Sequence, residues 1–350
     1  MPVTLKDLAA RAGVHASTIS RVANSDPSLR ISAATRSRIE ALLRETEYQP
    51  NGVARGLKLR QTFVFAVIIP DVTNPFFAAL FRGVEDGAAP HGYNVLLCNT
   101  DGSPERQRSH LQSLHARRVD GVVLASSFLK DPSVQWLRRQ RIPYVLVNRF
   151  SEEAGDPFVG SDDVLGGRLA TSHLIELGHR RIAHLAGMAT VSTGVLRRRG
   201  YLAALAEAGL EADPTLIVES GYTEEGGANA AQQLLTRPNP PTAIFAVTDM
   251  TAIGAFGVAR HLQRRIPDDL AVVGYNDIPL ASRLVPGLTT VHVPIHDFGA
   301  AAARLLIEQI ESGAPSRRRL IFNPELVVRA STVPGAEGGA VTPAAGTAAE

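Results

Sequence analysis

The residues best suited to chemistry fall into two sets. The first is a scatter of polar and aromatic side chains placed just after short apolar runs: Asp71, Asn74, Phe76 and Phe77; Asn148 and Arg149; Thr248 and Asp249; and Asn276. Arg197, in the cluster Arg197-Arg198-Arg199, joins them as a further cation. Amide, carboxylate and guanidinium groups supply both donors and acceptors, and aromatic rings stack on CH faces, which together is what a polyol or sugar requires. Asn and Asp also favour turns and caps for local reasons, so each position taken singly reads as well as a turn. The second set lies near the start, where Ala16, Ser17, Ser20, Arg21 and Asn24 fall opposite the apolar Ile19, Val22 and Ala23 at helical spacing. A small, polar, cationic face permits close approach to a DNA major groove, and Arg21 can form a bidentate bond to guanine. An ordinary solvated helix face has the same composition.

Patterns that organise a reaction are absent. No two glycines are separated by one residue, which excludes a Gly-x-Gly-x-x-Gly dinucleotide fingerprint. The lysines Lys6, Lys58 and Lys130 close no P-loop, and no Gly-x-Ser-x-Gly elbow occurs. His292 and His296 are four apart with Pro294 between them, and His110 and His115 are five apart, so neither pair shares a helix face as metal ligands do. The single cysteine, Cys98, forms no intrachain disulfide and reads as an apolar filler. The expectation is a protein that is not an enzyme and needs neither cofactor nor metal.

The positioning elements divide by charge and by period. The chain has 350 residues, 45% of them hydrophobic and 20% charged, which is a globular composition and more than one typical domain. Its net charge of +2 hides an asymmetry: residues 1–60 hold ten Lys or Arg against five acids, and the remainder 26 against 29. A basic head on a slightly acidic body suggests a polyanion partner at one end. In the head, Thr4 to Asp7 resembles a capping box, a short amphipathic helix follows and Gly13 stops it, a second helix carries Ile19 and Val22, and a third runs from about Ser32 to Thr46. Two short helices joined by a glycine turn read as helix-turn-helix. Residues 51–58 contain two glycines and make a poor autonomous helix. From residue 61 short apolar runs, at 63–69, 94–98, 121–125, 144–147, 181–186, 216–219, 243–247 and 271–275, alternate with helix-length stretches. That is repeated βα architecture, too long for one sheet, so two doubly wound parallel-sheet lobes are expected, with the ligand at the carboxyl ends of the strands. No apolar run is long enough to span a bilayer, and Met1-Pro2-Val3-Thr4 passes at once into polar helix-like sequence without the apolar core of an export signal, so a cytoplasmic location without membrane partners is expected.

Several segments resemble one family. Residues 3–9, 12–14 and 17–22, Tyr48-Gln49-Pro50-Asn51 and residues 54–58 look like the head and hinge of the lactose-repressor (LacI) family of transcriptional regulators. In the body the resemblance continues through Pro70-Asp71, Asn74 to Phe77, residues 177–182, Thr248-Asp249, Gly274 to Asp277 and residues 288–291, covering the chain to about residue 332. It implies a homodimer on double-stranded, pseudo-palindromic operator DNA, acting as a repressor of carbohydrate-utilisation genes. Ala16, Ser17 and Arg21 would face bases, Thr18, Asn24, Tyr48 and Asn51 would contact phosphates, and Ala54, Leu57 and Lys58 would lie in a hinge helix whose Leu57 wedges a base step. His15 stands where the family usually has serine, and Gly56 where it has a better helix former.

For the body the resemblance implies a periplasmic-binding-protein-like fold of two lobes joined by three crossings, near residues 159–163, 287–293 and 320–325. Its small-molecule effector, a sugar or sugar derivative, would meet Phe76, Phe77, Asn148, Arg197, Thr248 and Asn276. Asn148 and Asn276 occupy positions that are often Asp, so a cationic effector is disfavoured while Arg197 allows a neutral or anionic one. The resulting division is a helix-turn-helix domain over 1–49, a hinge over 50–61 and a two-lobed effector-binding and dimerisation domain over 62–333. Lobe one would take about 62–160 and 293–320, and lobe two about 161–288 and 324–333. The Ala-, Gly- and Pro-rich residues 334–350 are expected to be a disordered tail without the leucine repeat of a tetramerising coil. Two other readings share parts of this pattern: a solute-binding transport component, which the basic head argues against, and a sugar-acting enzyme, which lacks a catalytic constellation.

Overall fold

A computed structural model describes residues 3–23, 28–46, 48, 61–153 and 155–341. The chain separates into two units, Met1–Phe63 and Val64–Glu350.

The first unit is a three-helix head of α1 (Leu5–Ala12), α2 (Ala16–Ala23) and α3 (Ala33–Glu45). Local chemistry sets its boundaries. Thr4 and Asp7 form a reciprocal capping box at the start of α1, satisfying main-chain donors that the helix itself leaves free. Gly13 ends α1 in the left-handed conformation at φ 62°, which glycine adopts without steric cost and which turns the chain into α2. Ser32 caps α3 by accepting from the Thr35 amide. Leu8, Ile19 and Ile39 are fully buried, one from each helix, and Leu29, Leu42 and Tyr48 pack around them.

The second unit contains two sheets. The first runs β11-β5-β4-β3-β1-β2, built from β1 (Val64–Ile69), β2 (Asn94–Asn99), β3 (Gly121–Leu124), β4 (Tyr144–Val147), β5 (Phe158–Ser161) and β11 (Arg319–Phe322). All its pairings are parallel. The second runs β13-β12-β10-β9-β8-β6-β7, from β6 (Ile182–Ala186), β7 (Ile217–Glu219), β8 (Ala243–Ala246), β9 (Ala271–Asn276), β10 (Thr289–His292), β12 (Glu325–Arg329) and β13 (Glu337–Val341). It is parallel from β10 to β7, while β12 pairs antiparallel with both neighbours. Central strands such as Phe65 to Ile69 are buried throughout, as helix-covered parallel strands must be. In each sheet the strand order reverses beside the first strand, between β1 and β3 and between β6 and β8, creating the crevice in which such folds hold ligands.

The covering helices are α4 (Pro75–Ala88), α5 (Pro104–Ala116), α6 (Pro132–Gln140), α7 (Asp163–Glu176), α8 (Ser192–Glu207), α9 (Glu224–Leu235), α10 (Asp249–His261) and α11 (Ile295–Ser312). Helices α7 and α8 cross backbone to backbone: a Cβ on Gly167 would lie 2.3 Å from the Arg197 carbonyl, and one on Gly200 would lie 2.2 Å from the Val164 carbonyl. The chain passes between the sheets after β5, between β10 and α11, and between β11 and β12.

Two differences from the sequence expectation stand out. Strands β5, β10 and β11 fall where crossings were expected, and β12 within lobe two was not expected as a strand; all four are short and acquire their strand form from sheet neighbours. Residues 334–350 were expected to be disordered, yet Glu337–Val341 pairs with β12, Leu326 against Val341 and Val327 against Ala340. An open strand edge offers main-chain donors and acceptors that Gly and Ala satisfy as well as any residue, so composition did not signal the pairing. Residues 342–350 lie outside the described residues.

Candidate functional site

The cleft between the two sheets of the second unit gathers residues from the carboxyl ends of both. Asn74 is the N-cap of α4; its Oδ1 accepts from the Phe76 amide at 3.0 Å, and Pro75 occupies the first helical turn, where its missing N–H costs nothing. This cap aims Phe76 and Phe77 into the cleft, their rings edge to face at 5.0 Å. After β4, Asn148 adopts φ 63°. Arg149, buried, lays its guanidinium 4.8 Å from the centre of the Tyr222 ring, which comes from the other lobe. At the end of β9, Asn276 and the following Asp277 take φ 108° and 56°. Left-handed backbone outside glycine is uncommon and concentrates at binding sites, where surrounding structure imposes it.

Arg197, 2% exposed, is held on three sides: Nε donates to Asp163 at 2.8 Å, Nη1 donates to the Val247 carbonyl at 2.7 Å, and the guanidinium lies 3.6 Å from the Tyr275 ring centre. Burial opposes its charge, but the Asp163 carboxylate more than compensates and holds the guanidinium protonated. Among the described residues Arg149 has no carboxylate partner, and burial lowers its pKa. Thr248 caps α10 reciprocally with Thr251 and lines the same wall. Arg149 Nε and Asn276 Oδ1 are buried, line this space and have no hydrogen-bond partner. A buried donor and a buried acceptor left unsatisfied each carry a desolvation cost, which a ligand hydroxyl would relieve by accepting from one or donating to the other.

Asn74, Phe76, Phe77, Asn148, Arg149, Arg197, Thr248 and Asn276 therefore line one space of the cleft. Asp71 lines the adjoining outer space and turns its carboxylate onto the Thr73 amide and hydroxyl. Asp249 is a correction: it lines neither space, is fully buried, and accepts from the Thr290 hydroxyl at 2.5 Å and the Ile278 amide at 2.8 Å. Helical geometry turns the residue after the Thr248 cap under β9, where Gly274 leaves room for it. Burial pushes its pKa up to about 7. Sequence reasoning missed Thr193 and Tyr222, whose hydroxyls meet at 3.1 Å on the cleft wall. Thr193 precedes Arg197 by one helical turn and Tyr222 follows β7, so both signals were present in the spacing.

In the head, α2 exposes Ser17 and half-buries Thr18 and Arg21. Arg21 Nη2 donates to the Ser28 hydroxyl at 2.9 Å. His15 acts as a cap: its carbonyl accepts from the Thr18 amide at 2.9 Å, and its Nδ1 lies 2.8 Å from the Ser17 hydroxyl and 3.3 Å from the Ser17 amide. Ala16, expected opposite the core, is half-buried and packs against it, because residues 16, 19 and 23 fall on one helical face. Tyr48 likewise packs on the head core. Asn24, Asn51, Ala54, Leu57 and Lys58, with the hinge over 50–60, lie outside the described residues.

Among the described residues no three His, Cys, Asp or Glu side chains converge as a metal site, and no helix is long and apolar enough to cross a membrane. His292 and His296 face different carboxylates, Asp277 at 3.2 Å and Asp86 at 3.0 Å.

Comparison with known proteins agrees with both units. Residues 4–51 match the family model for bacterial regulatory proteins of the lacI family, and residues 171–332 match that of the periplasmic binding protein-like domain. The ribose operon repressor of Escherichia coli (strain K12) is 37% identical over 329 residues, 94% of this chain and 99% of that protein. The structure of the transcriptional regulator CelR–cellobiose complex aligns with a TM-score of 0.73 at 35% identity, covering 94% of this chain and 99% of that one. The lac repressor dimer bound to operator and the anti-inducer ONPF aligns with a TM-score of 0.85 at 27% identity, covering 95% and 99%. With its three-helix head, its two-lobed body and a relative this similar along nearly its whole length, the chain belongs to the LacI family of bacterial regulatory proteins.

Proposed function

We propose that this protein is a repressor of carbohydrate-utilisation genes, binding a pseudo-palindromic operator as a dimer and answering to a sugar or sugar derivative bound between its lobes. The observation that carries the effector reading is the pair of unsatisfied buried groups, Arg149 Nε and Asn276 Oδ1, in one polar and aromatic space. A sugar hydroxyl accepts from the first and donates to the second, while CH faces meet Phe76 and Phe77. The relatives point the same way: one is named for a ribose operon and another is described in complex with cellobiose.

The space has about 20 Å3 free, room for roughly one water by the usual requirement of ~10–15 Å3. A sugar ring therefore enters only as the lobes part about the three crossings, and its binding biases the angle between them. In this reading residues 1–49 bind DNA, 50–61 form the hinge and 62–333 carry effector and dimer contacts. Ser17 and Arg21 read bases, and Thr18, Asn24, Tyr48 and Asn51 hold phosphates. Ala54, Leu57 and Lys58 enter the minor groove, while Ala16, half-buried against the head core, leaves base reading to Ser17 and Arg21. Exposed apolar side chains support a dimer: Val72, Leu96 and Leu97 beside the open edge of β2, and Leu280 and the 94% exposed Val285 after β9.

The test is operator selection from a random duplex pool, followed by binding with and without a panel of sugars. A two-fold symmetric site whose affinity a sugar changes supports the proposal. Binding that is indifferent to sequence, or to every sugar that binds the protein, overturns it.

A further inference from the structure

Helix α8 leaves a pocket at the edge of the second sheet. Two contacts hold the helix over β6. The Tyr201 ring stacks on His184 at 5.2 Å, and its hydroxyl donates to the Ile182 carbonyl at 2.8 Å. Two turns earlier Gly194 lies against the turn after β6, where a Cβ would come within 2.5 Å of the Met188 carbonyl. Between helix and sheet remains a space of about 440 Å3, because Ala186, Gly187 and Ala189 are too small to fill it and β7 is the outermost strand. Its size falls within the range of small-molecule sites, ~300–1,000 Å3.

Val195, Leu202 and Ile217 give this pocket apolar walls, and Arg198, Arg199 and Glu219 give it charge. It shares no lining residue with the cleft, since Thr193, Arg197 and Gly200 fall on one face of α8 and Val195, Arg198 and Leu202 on the other. Arg197 is neutralised by Asp163, whereas Arg198 and Arg199 form no ion pair or hydrogen bond among the described residues. Glu219, the one carboxylate among the lining residues, accepts from the Ala189 amide at 3.3 Å. The surplus of positive charge reaches the core. His184, the register partner of Ile217, is fully buried; burial pushes its pKa down to about 4, and the charges of Arg198 and Arg197 act in the same direction. Exposed arginines on a helix are ordinarily just solvated. These two, in addition, rim an apolar space of ligand size.

We propose that this pocket binds an organic oxyanion, a phosphate ester or a carboxylate carried on an apolar body, at a site separate from the interlobe cleft. The planar guanidinium groups of Arg198 and Arg199 suit paired carboxylate or phosphate oxygens, and the body displaces water from Val195, Leu202 and Ile217. An inorganic anion gains only the first contribution and a neutral ligand only the second. Both arginines are exposed, so the charge contribution weakens with salt. The proposal does not depend on the reading of the cleft as a sugar site.

The experiment is titration calorimetry on the full chain with phenyl phosphate and phenylacetate, against benzyl alcohol, which keeps the body, and inorganic phosphate, which keeps the charge. At least one of the two organic anions binds about tenfold or more tightly than either control, and which one does so separates a phosphate ester from a carboxylate. The double variant R198Q/R199Q weakens that binding about tenfold or more at low salt and less at high salt. R108Q/R139Q, which removes two exposed arginines from lobe one, leaves it unchanged and controls for net charge. All four positions are exposed, and matching melting curves by circular dichroism show that the fold is kept. The proposal is overturned by an affinity that R198Q/R199Q does not change, which places the anion in the cleft or the basic head. An equal loss in R108Q/R139Q, inorganic phosphate bound as tightly as the organic anion, or no binding of either organic anion at millimolar concentration overturns it as well.

Discussion

Arg197 shows how a cleft residue is also a structural one. Two of its nitrogens are occupied by Asp163 and the Val247 carbonyl, and in the proposed function Nη2 meets the effector. Arg197→Ala strands the buried Asp163 carboxylate, and removing one partner of a buried pair costs about 3–5 kcal/mol. We expect a lower denaturation midpoint for Arg197→Ala, and recovery of much of the loss in R197M/D163N; equal midpoints for wild type and Arg197→Ala would remove the pair from the stability account. Asp249 gives a pH signature. Its native pKa of about 7 lies above the ordinary aspartate value of 3.8, so the native state binds the extra proton. The stability this contributes is complete below pH 3.8 and declines as pH rises through about 7. Asp249→Asn keeps an acceptor for the Ile278 amide and loses the titration. Its melting temperature should fall less than that of wild type across this window, measured by calorimetry at constant salt.

Elements position these residues through close backbone contact. Helix α8 carries Thr193 and Arg197 to the cleft because Gly167 and Gly200 let it lie against α7. Gly200→Ala places a Cβ 2.2 Å from the Val164 carbonyl, an overpacking that costs about 1–3 kcal/mol and shifts α8. We expect a lower melting temperature together with weaker effector binding, whereas Gly257→Ala, which meets nothing within 4 Å, should be tolerated. The caps at Thr4, Gly13 and Ser32 were legible because capping depends on residues within one turn. Strands β11 and β12 were not, since their partners are more than 30 residues away along the chain in every pairing except that of β12 with β13.

At the scale of the molecule, effector and operator influence each other only if the lobe angle reaches the heads, and such couplings amount to ~1–3 kcal/mol, or ~5–150-fold in operator affinity. Calorimetric titration of effector with and without operator should return the same factor from the other side, because the linkage is reciprocal. In the proposed function a dimer is the precondition. L96E/L97E, changing two exposed residues of β2, should shift sedimentation toward monomer and reduce operator affinity, with the fold intact by circular dichroism. An unchanged dimer would move the interface away from this edge.

The amino-acid order by itself determined the helix-turn-helix head, the alternation of strands and helices, and most of the polar groups at strand ends, because capping, periodicity and turn preference act over a few residues. It also placed Phe76, Arg149 and Asn276 after their strands, where open α/β sheets hold ligands. Tertiary structure decided which strand-end groups face the cleft. Thr248 and Asp249 are adjacent in sequence, yet one lines the cleft and the other is buried under β9. The orphaned Arg149 Nε and Asn276 Oδ1, the Tyr222 ring against Arg149, and the pocket between α8 and β7 exist only once the sheets are assembled. Hydrogen-bond satisfaction and field strength depend on burial and distance, and a linear pattern specifies neither.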